Sequence, residues 1–339
     1  MVGAGVSERV KLTACQTMLN PQKPTADSGP AGEPLITVAI CTYNRAGFLQ
    51  KTLAALLPQL TGSTELVVVD NASTDGTEKY LAGLAGGPGV KICREGKLGL
   101  SIARNTALTA ASGEYVVFLD DDAIVQPGWV GGYRRFFSHP PNGRIGGAGG
   151  AVEPDFEIPP PAWVWQGTGC VPEPGRDRPC AAGDNPWGCN FAVRRAAAIA
   201  AGGFNPVLGH RGTVSGAYEE VELLDRIRRA GQEVWWVAGV GVRHFIEAKR
   251  LRLGWQLRAA FRLGSCRAIR RLEALPSSGH RMAFTAGRVL IAPFHCLANL
   301  LLAIFSFPFR GGTVAARALV HAASITGLTC KLVTQAFGR

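Results

Sequence analysis

The stretch GEYVVFLDDDAIVQPGWV, residues 113–130, poses the question on which the fold turns. Tyr115 to Leu119 form an unbroken apolar run, the pattern of a strand buried on both faces. It runs straight into Asp120, Asp121 and Asp122. Three adjacent carboxylates at a strand end repel one another and lose hydration, so something must compensate. One solution is a hard divalent cation, Mn2+ or Mg2+, which prefers carboxylate oxygens and keeps positions open for phosphates. The other is a solvated turn whose aspartates cap neighbouring backbone groups. The triplet alone leaves both open.

Upstream, strand-like and helix-like segments alternate. ITVAIC (36–41) reads as a strand and GFLQKTLAALLPQ (47–59) carries apolar residues at helical spacing. ELVVVD (65–70) is a second strand, STDGTEKYLAGL a helix starting at Ser73 or Thr74, and VKIC (90–93) a short strand. GLSIARNTALTAAS (99–112) is helical and leads into the strand above. This alternation predicts an α/β fold, a Rossmann-like, mostly parallel sheet with helices on both faces. Ligands of such sheets sit beyond the carboxyl ends of the strands, where Cys41, Thr42, Asp70 and Asp120 to Asp122 all fall. Neither GxGxxG after the first strand nor a Walker A loop occurs, which removes most support for dinucleotide and P-loop readings.

Downstream, NGRIGGAGGAVEPDFEIPPPAW is Gly- and Pro-rich and predicts loop bounded by short strands. WGCNFAVRRAAAIAAGGF (187–204) reads as a strand and then a helix stopped by Gly202 and Gly203. SGAYEEVELLDRIRRAG (215–231) is an amphipathic helix with Glu222 and Arg226 paired at i,i+4. Glu219, Glu220 and Glu222 occupy its first turn, where acids are favoured by the helix dipole. A carboxylate aimed into the crevice could instead take a proton from an acceptor hydroxyl. EVWWVAGVGVRHF supplies two strand-like runs ending at His244, either a third metal ligand or a core histidine.

The net charge of +11 is unevenly spread. Residues 1–242 hold 21 basic and 23 acidic residues, while residues 243–339 hold 15 basic and 2 acidic. Within that basic tail lies VLIAPFHCLANLLLAIFSFPF (289–309), 21 residues without a charge. The length suits a membrane span, but Pro293, His295, Asn299 and Pro308 favour helices lying in the interface, their Arg and Lys drawn to anionic headgroups. No nucleic-acid reader module accompanies the charge, so nucleic acid is not an expected partner. The nine cysteines are scattered without a CxxC pair, which points to reduced thiols rather than zinc. Residues 1–34 are expected to form a disordered tail, and no secretory signal opens the chain.

Taken together, residues 36–246 resemble glycosyltransferase family 2, the inverting nucleotide-sugar transferases of the GT-A fold. VAICTYNRAGFLQKTLAAL, ELVVVDNASTDGT, KLGLSIARNTAL, VVFLDDDAIVQPGWV and EEVELLDRIRRAG carry the resemblance in the family's order. It implies a catalytic domain over 35–246, with a nucleotide half (35–128) and an acceptor half (129–246), followed by a membrane-associating helical region over 247–339. It implies donor contacts from Thr42, Asn44, Arg45, Asp70, Asp75, Arg104 and Asp121, and metal ligation by Asp120, Asp122 and His244. Glu220 aligns with the general base, Glu219 being the alternative. WGCNFAVRR resembles the acceptor-side segment, where Trp187 and Asn190 are the candidates; Trp187 either stacks on a sugar or is simply buried.

The expected activity is sugar transfer from a nucleotide-sugar donor to a lipid-linked or glycan hydroxyl, in bacterial-type polysaccharide or glycolipid assembly at the cytoplasmic face of the membrane. A nucleotidyl- or phospho-sugar transferase is the enzymatic alternative, and it requires a basic Gly-rich loop after the first strand, where CTYNRAG offers one basic residue. A non-catalytic sugar-nucleotide-binding protein is the other, and donor turnover separates it from an enzyme.

Overall fold

In a computed structural model, described over residues 36–61, 64–164, 175–181, 183–212, 216–310 and 313–337, strand β1 (Ile36–Thr42) occupies the middle of the nucleotide half. It pairs in parallel with β2 (Thr64–Asp70) on one side and β4 (Tyr115–Asp120) on the other. β3 (Val90–Arg94) extends the sheet beyond β2, also in parallel. Beyond β4 come β9 (Asn190–Arg194), β6 (Ile145–Gly149), β10 (Glu233–Trp236) and β8 (Arg178–Pro179). β9 is antiparallel to both of its neighbours, and β10 returns to parallel beside β6. A second, three-stranded sheet joins β5 (Ala123–Val125), β11 (Val242–Ile246) and β7 (Val152–Phe156).

The alternation of β1 explains the layers, because successive side chains of a strand point to opposite faces. Val38 and Ile40 join the cluster that buries Leu49, Leu53 and Leu56 of α1 (Ala46–Leu56) and Trp129, Tyr133 and Phe136 of α4 (Trp129–Ser138). Ala39 faces the other way. It packs with Ala103 and Ala107 of α3 (Leu100–Ala110), Ala198 of α5 (Arg195–Ala200) and Leu223, Leu224 and Ile227 of α6 (Glu219–Arg229). The i,i+4 pair is formed, with Arg226 Nε donating to Glu222 Oε1 at 2.6 Å.

The Gly-rich segment, expected as loop bounded by short strands, contains the short strands β6 and β7. Its glycines are packing devices: a Cβ on Gly147 would lie 2.6 Å from Leu224 Cδ2, and one on Gly149 would overlap Pro186. Helix α2 (Thr77–Ala82) begins later than Ser73, because Asp75 accepts from the Thr77 backbone N–H (2.9 Å) and holds the preceding residues as a loop. The tail carries Pro293 and Pro308 inside a single helix. It consists of α7 (Leu253–Glu273), the continuous 33-residue α8 (Ser278–Arg310) and α9 (Thr313–Phe337). Pro34–Arg339 cluster as one unit, with these helices on its body. The tail expected over residues 1–34 lies outside the described residues.

Candidate active site

Sheet register assembles the crevice. Thr42 pairs with Asp70 and Cys41 with Asp120, so β1, β2 and β4 end side by side. Loops after β1 and β2 are stitched together: Asn44, at a left-handed φ of 52°, accepts from the Thr74 N–H (2.6 Å) and donates to Thr74 Oγ1. Asp75 accepts from the Ala46 N–H (3.3 Å), and hydrogen bonds from Thr77 hold its carboxyl below the usual range against the opposing effect of burial. Asp70 is buried; Oδ1 accepts from the Ser73 N–H (3.0 Å) while Oδ2 has no hydrogen-bond partner. Asn44, Asp70 and Asp75 therefore share one wall.

Thr42, Arg45 and Asp121 are engaged with one another rather than open to a ligand. Thr42 Oγ1 donates to Asp121 Oδ2 (2.7 Å), and Arg45 Nη1 donates to Asp121 Oδ1 (3.0 Å). Burial pushes the Asp121 carboxyl up to about 7 despite Arg45. Their side chains build the loop that follows β1.

The strand pairing of β11 with β5 delivers His244 opposite Ala123. One ligand atom from each of Asp120, Asp122 and His244 lies within 4.8 Å of the other two. His244 Nε2 is 3.2 Å from Asp122 Oδ1, and His244 Nδ1 is buried without a hydrogen-bond partner. Burial alone would raise Asp122, but His244, Arg45 and Arg250 override it and hold the carboxyl ionised. Arg45 Nη2 stands 2.8 Å from Asp122 Oδ2 and Arg250 Nη2 3.6 Å, ion-pair contacts without hydrogen-bond alignment at an orphaned oxygen. Burial is the main cause that raises Asp120, with Arg104 opposing. Two carboxylates and an imidazole, crowded and incompletely partnered, are a donor set that fits a divalent cation.

Arg104 links this group to the acidic helix. It is 2% exposed, with its guanidinium over the rings of Phe118, Phe191 and Phe204. Nη2 donates to Asp120 Oδ1 (3.1 Å) and to the Gly188 carbonyl (2.8 Å), and Nη1 to Glu219 Oε1 (2.8 Å). Arg104 is thus a strut between carboxylates. Glu219 is buried, its Oε1 held by Arg104 and its Oε2 without a hydrogen-bond partner.

Glu220 turns to the other side. Its carboxyl carbon is only 3.3 Å from where a Cβ on Gly188 would be, beside Arg104 Nη2. Burial and the neighbouring Glu219 push its carboxyl up to about 8, against the pull of Arg104. Burial lowers His210, which feels the fields of Glu219 and Asp120 from the loop preceding α6.

Trp187 is half-buried and packs against the core cluster that contains Trp129 and Tyr133. Asn190 is not an acceptor contact. It is fully buried, accepts from Trp129 Nε1 (3.0 Å) and the Tyr133 hydroxyl (2.9 Å), and donates to the Ala151 and Val240 carbonyls. Every hydrogen-bonding position of its amide is used inside the core. Sequence reading missed Gly188, Arg250 and Glu247, whose Oε2 stands 3.7 Å from Arg45 Nη2. Only Arg250 and Glu247 carried a signal, two charges in the segment that follows the last strand; a glycine placed for closeness carries none.

Residues 37–199 match the family model described as Glycosyl transferase family 2. The chain is 24% identical over 279 residues to glucosyl-dolichyl phosphate glucuronosyltransferase of Haloferax volcanii, covering 78% of this chain and 87% of that protein. It is 26% identical over 307 residues to succinoglycan biosynthesis protein ExoM of Rhizobium meliloti, covering 86% and 92%. Among solved structures, a mannosyltransferase from Pyrobaculum calidifontis in complex with GDP-Man and Mn2+ superposes with a TM-score of 0.56 at 19% identity, covering 93% and 92%. That likeness establishes the GT-A-type fold.

Proposed function

We propose, from the premise that the chain belongs to glycosyltransferase family 2 through residues 37–199, that it is an inverting transferase moving a sugar from a nucleotide-sugar donor to a hydroxyl of a lipid-linked saccharide. The observation that carries this reading is Arg104, whose one guanidinium joins Asp120 of the candidate metal group to the helix bearing Glu220. The relatives named for a dolichyl-phosphate glucoside and for succinoglycan synthesis support a lipid-linked or glycan acceptor and a setting at a membrane.

Asp70 and the loops bearing Asn44 and Asp75 receive the nucleoside, the free oxygen of Asp70 accepting an N–H or hydroxyl from it. Asp120, Asp122 and His244 would hold the cation, Mn2+ or Mg2+. When bound, it acts as a Lewis acid that neutralises charge on the leaving diphosphate. Glu220 takes the acceptor proton. A carboxylate lifted toward neutrality by burial is a stronger base than a solvated one, and it is matched to working pH. The acceptor oxygen bonds to the anomeric carbon as the carbon–oxygen bond to diphosphate breaks on the opposite face, through an oxocarbenium-like state. Arg104 keeps the two carboxylate groups in register, and Trp187 offers a ring beside Gly188 for the acceptor sugar.

The nucleotidyl-transferase alternative is disfavoured by Arg45. It is the one cation in the loop after β1, and it is paired with Asp121 and Asp122 instead of standing free for a triphosphate. To test the proposal, purified full-length protein is incubated with Mn2+ and a panel of nucleotide sugars, and nucleoside diphosphate release is followed. One donor should turn over, with the rate abolished in Asp122→Ala. Equal rates in the variant, or no donor bound by the wild type, would contradict it.

A further inference from the structure

Helix α8 is long and apolar enough over Ser278–Ile304 to cross a bilayer by length and composition. Its surroundings argue for another placement. At its N-terminal end, Phe284 packs with Leu272 of α7, and the adjacent Glu273 accepts from Asn205 of the catalytic body (2.9 Å). At its C-terminal end, Ala303 packs with Ala315 and Ala318 of α9, and Arg317 between them donates to the Ala162 carbonyl (3.0 Å). Both ends of the apolar stretch are therefore moored, each through one neighbouring helix, to the same body. A spanning helix must carry one end about 30 Å away, across the hydrocarbon.

The exposed side matches this arrangement. Projected at about 100° per residue, Leu290, Phe294, Leu297, Leu301 and Ile304 fall on one side of α8, and all are exposed. Thr285, Ala292 and Ala303 fall on the opposite side and are buried. The apolar side thus faces away from the body from Leu290 to Ile304. All six Lys and Arg after Glu273 are unopposed by any acidic residue. A second copy of the same face would offer them no counter-charge, whereas anionic lipid headgroups do.

We propose that α8 lies in the plane of one leaflet of an anionic bilayer, its Phe294 and Leu301 side sunk among the acyl chains and both ends on the side of the catalytic body. This rests on the membrane setting proposed above and specifies it. A chain moored this way holds its active site at a fixed height over the lipid surface, suited to an acceptor whose lipid stays in the leaflet.

The test uses the full chain with an epitope inserted before Thr313, in inside-out membrane vesicles from expressing cells. The expected result is that the protein sediments with the vesicles and that antibody reaches the epitope without detergent. The double variant Phe294→Glu/Leu301→Glu should lose vesicle partitioning by at least about tenfold while keeping donor turnover, which reports an intact fold. If the epitope is reached only after detergent, α8 spans; the in-plane proposal is then overturned while the membrane setting stands. If the wild type is fully soluble and active, the membrane setting itself fails.

Discussion

Arg104 neutralises two anions from the core. Removing it leaves Glu219 buried and uncompensated, a situation that costs about 3–5 kcal/mol. Arg104→Met should therefore lower stability by that order in urea unfolding and abolish turnover, and Arg104→Lys should recover only part of either, since an ammonium lacks the planar fork. Glu220 makes the opposite prediction. Its carboxyl is raised to about 8 in the folded protein, so the native state holds this proton where the unfolded chain has already released it. The associated stability is complete below about pH 4.5 and is lost as pH rises towards 8. Glu220→Gln should match wild type near pH 4 and exceed it by about 1–3 kcal/mol near pH 8.5 in chelator, after allowance for solvent screening. A wild type as stable as the variant at high pH would contradict the raised carboxyl. Among residues, the acidic triplet stood out because three adjacent carboxylates end an apolar run, whereas Glu220 was singled out only through the resemblance of its helix to the family's acidic segment. Asn190 was misread because an amide bracketing two aromatic donors and an amide binding a sugar look the same in sequence.

At the scale of elements, β6 shows where composition misleads. Glycine usually marks turns, yet in Ile145–Gly149 it lets α6 and Pro186 approach the sheet. Gly147→Ala should destabilise by about 1–3 kcal/mol through overpacking against Leu224, read as a lower urea midpoint with an unchanged slope. The parallel core was easy to read, because β1, β2 and β4 are continuous apolar runs that only a sheet covered on both faces can bury. Helix α8 was harder. Proline removes one backbone donor and ordinarily kinks or breaks a helix, yet Pro293 sits exposed inside the continuous helix Ser278–Arg310.

Over the whole molecule, two features organise the account: a near-neutral catalytic body and a basic, apolar tail moored along it. Partitioning onto anionic vesicles should weaken as salt rises, since the Debye length falls from about 10 Å at 0.1 M to about 3 Å at 1 M. Flotation at the two ionic strengths checks this, and salt-independent partitioning would assign the attachment to apolar burial alone. The order of motifs made the body's activity class readable, while the mooring of α8 was not, because Ala162 and Arg317 are 155 residues apart in the chain. The central claim is that one crevice divides its work, with Asp120, Asp122 and His244 serving the donor and Glu220 serving the acceptor. The most direct measurement compares Mn2+-dependent donor binding with sugar transfer in Glu220→Gln. The account predicts donor affinity within a few-fold of wild type, with transfer reduced by about 100-fold or more. Transfer near the wild-type rate in that variant would contradict it.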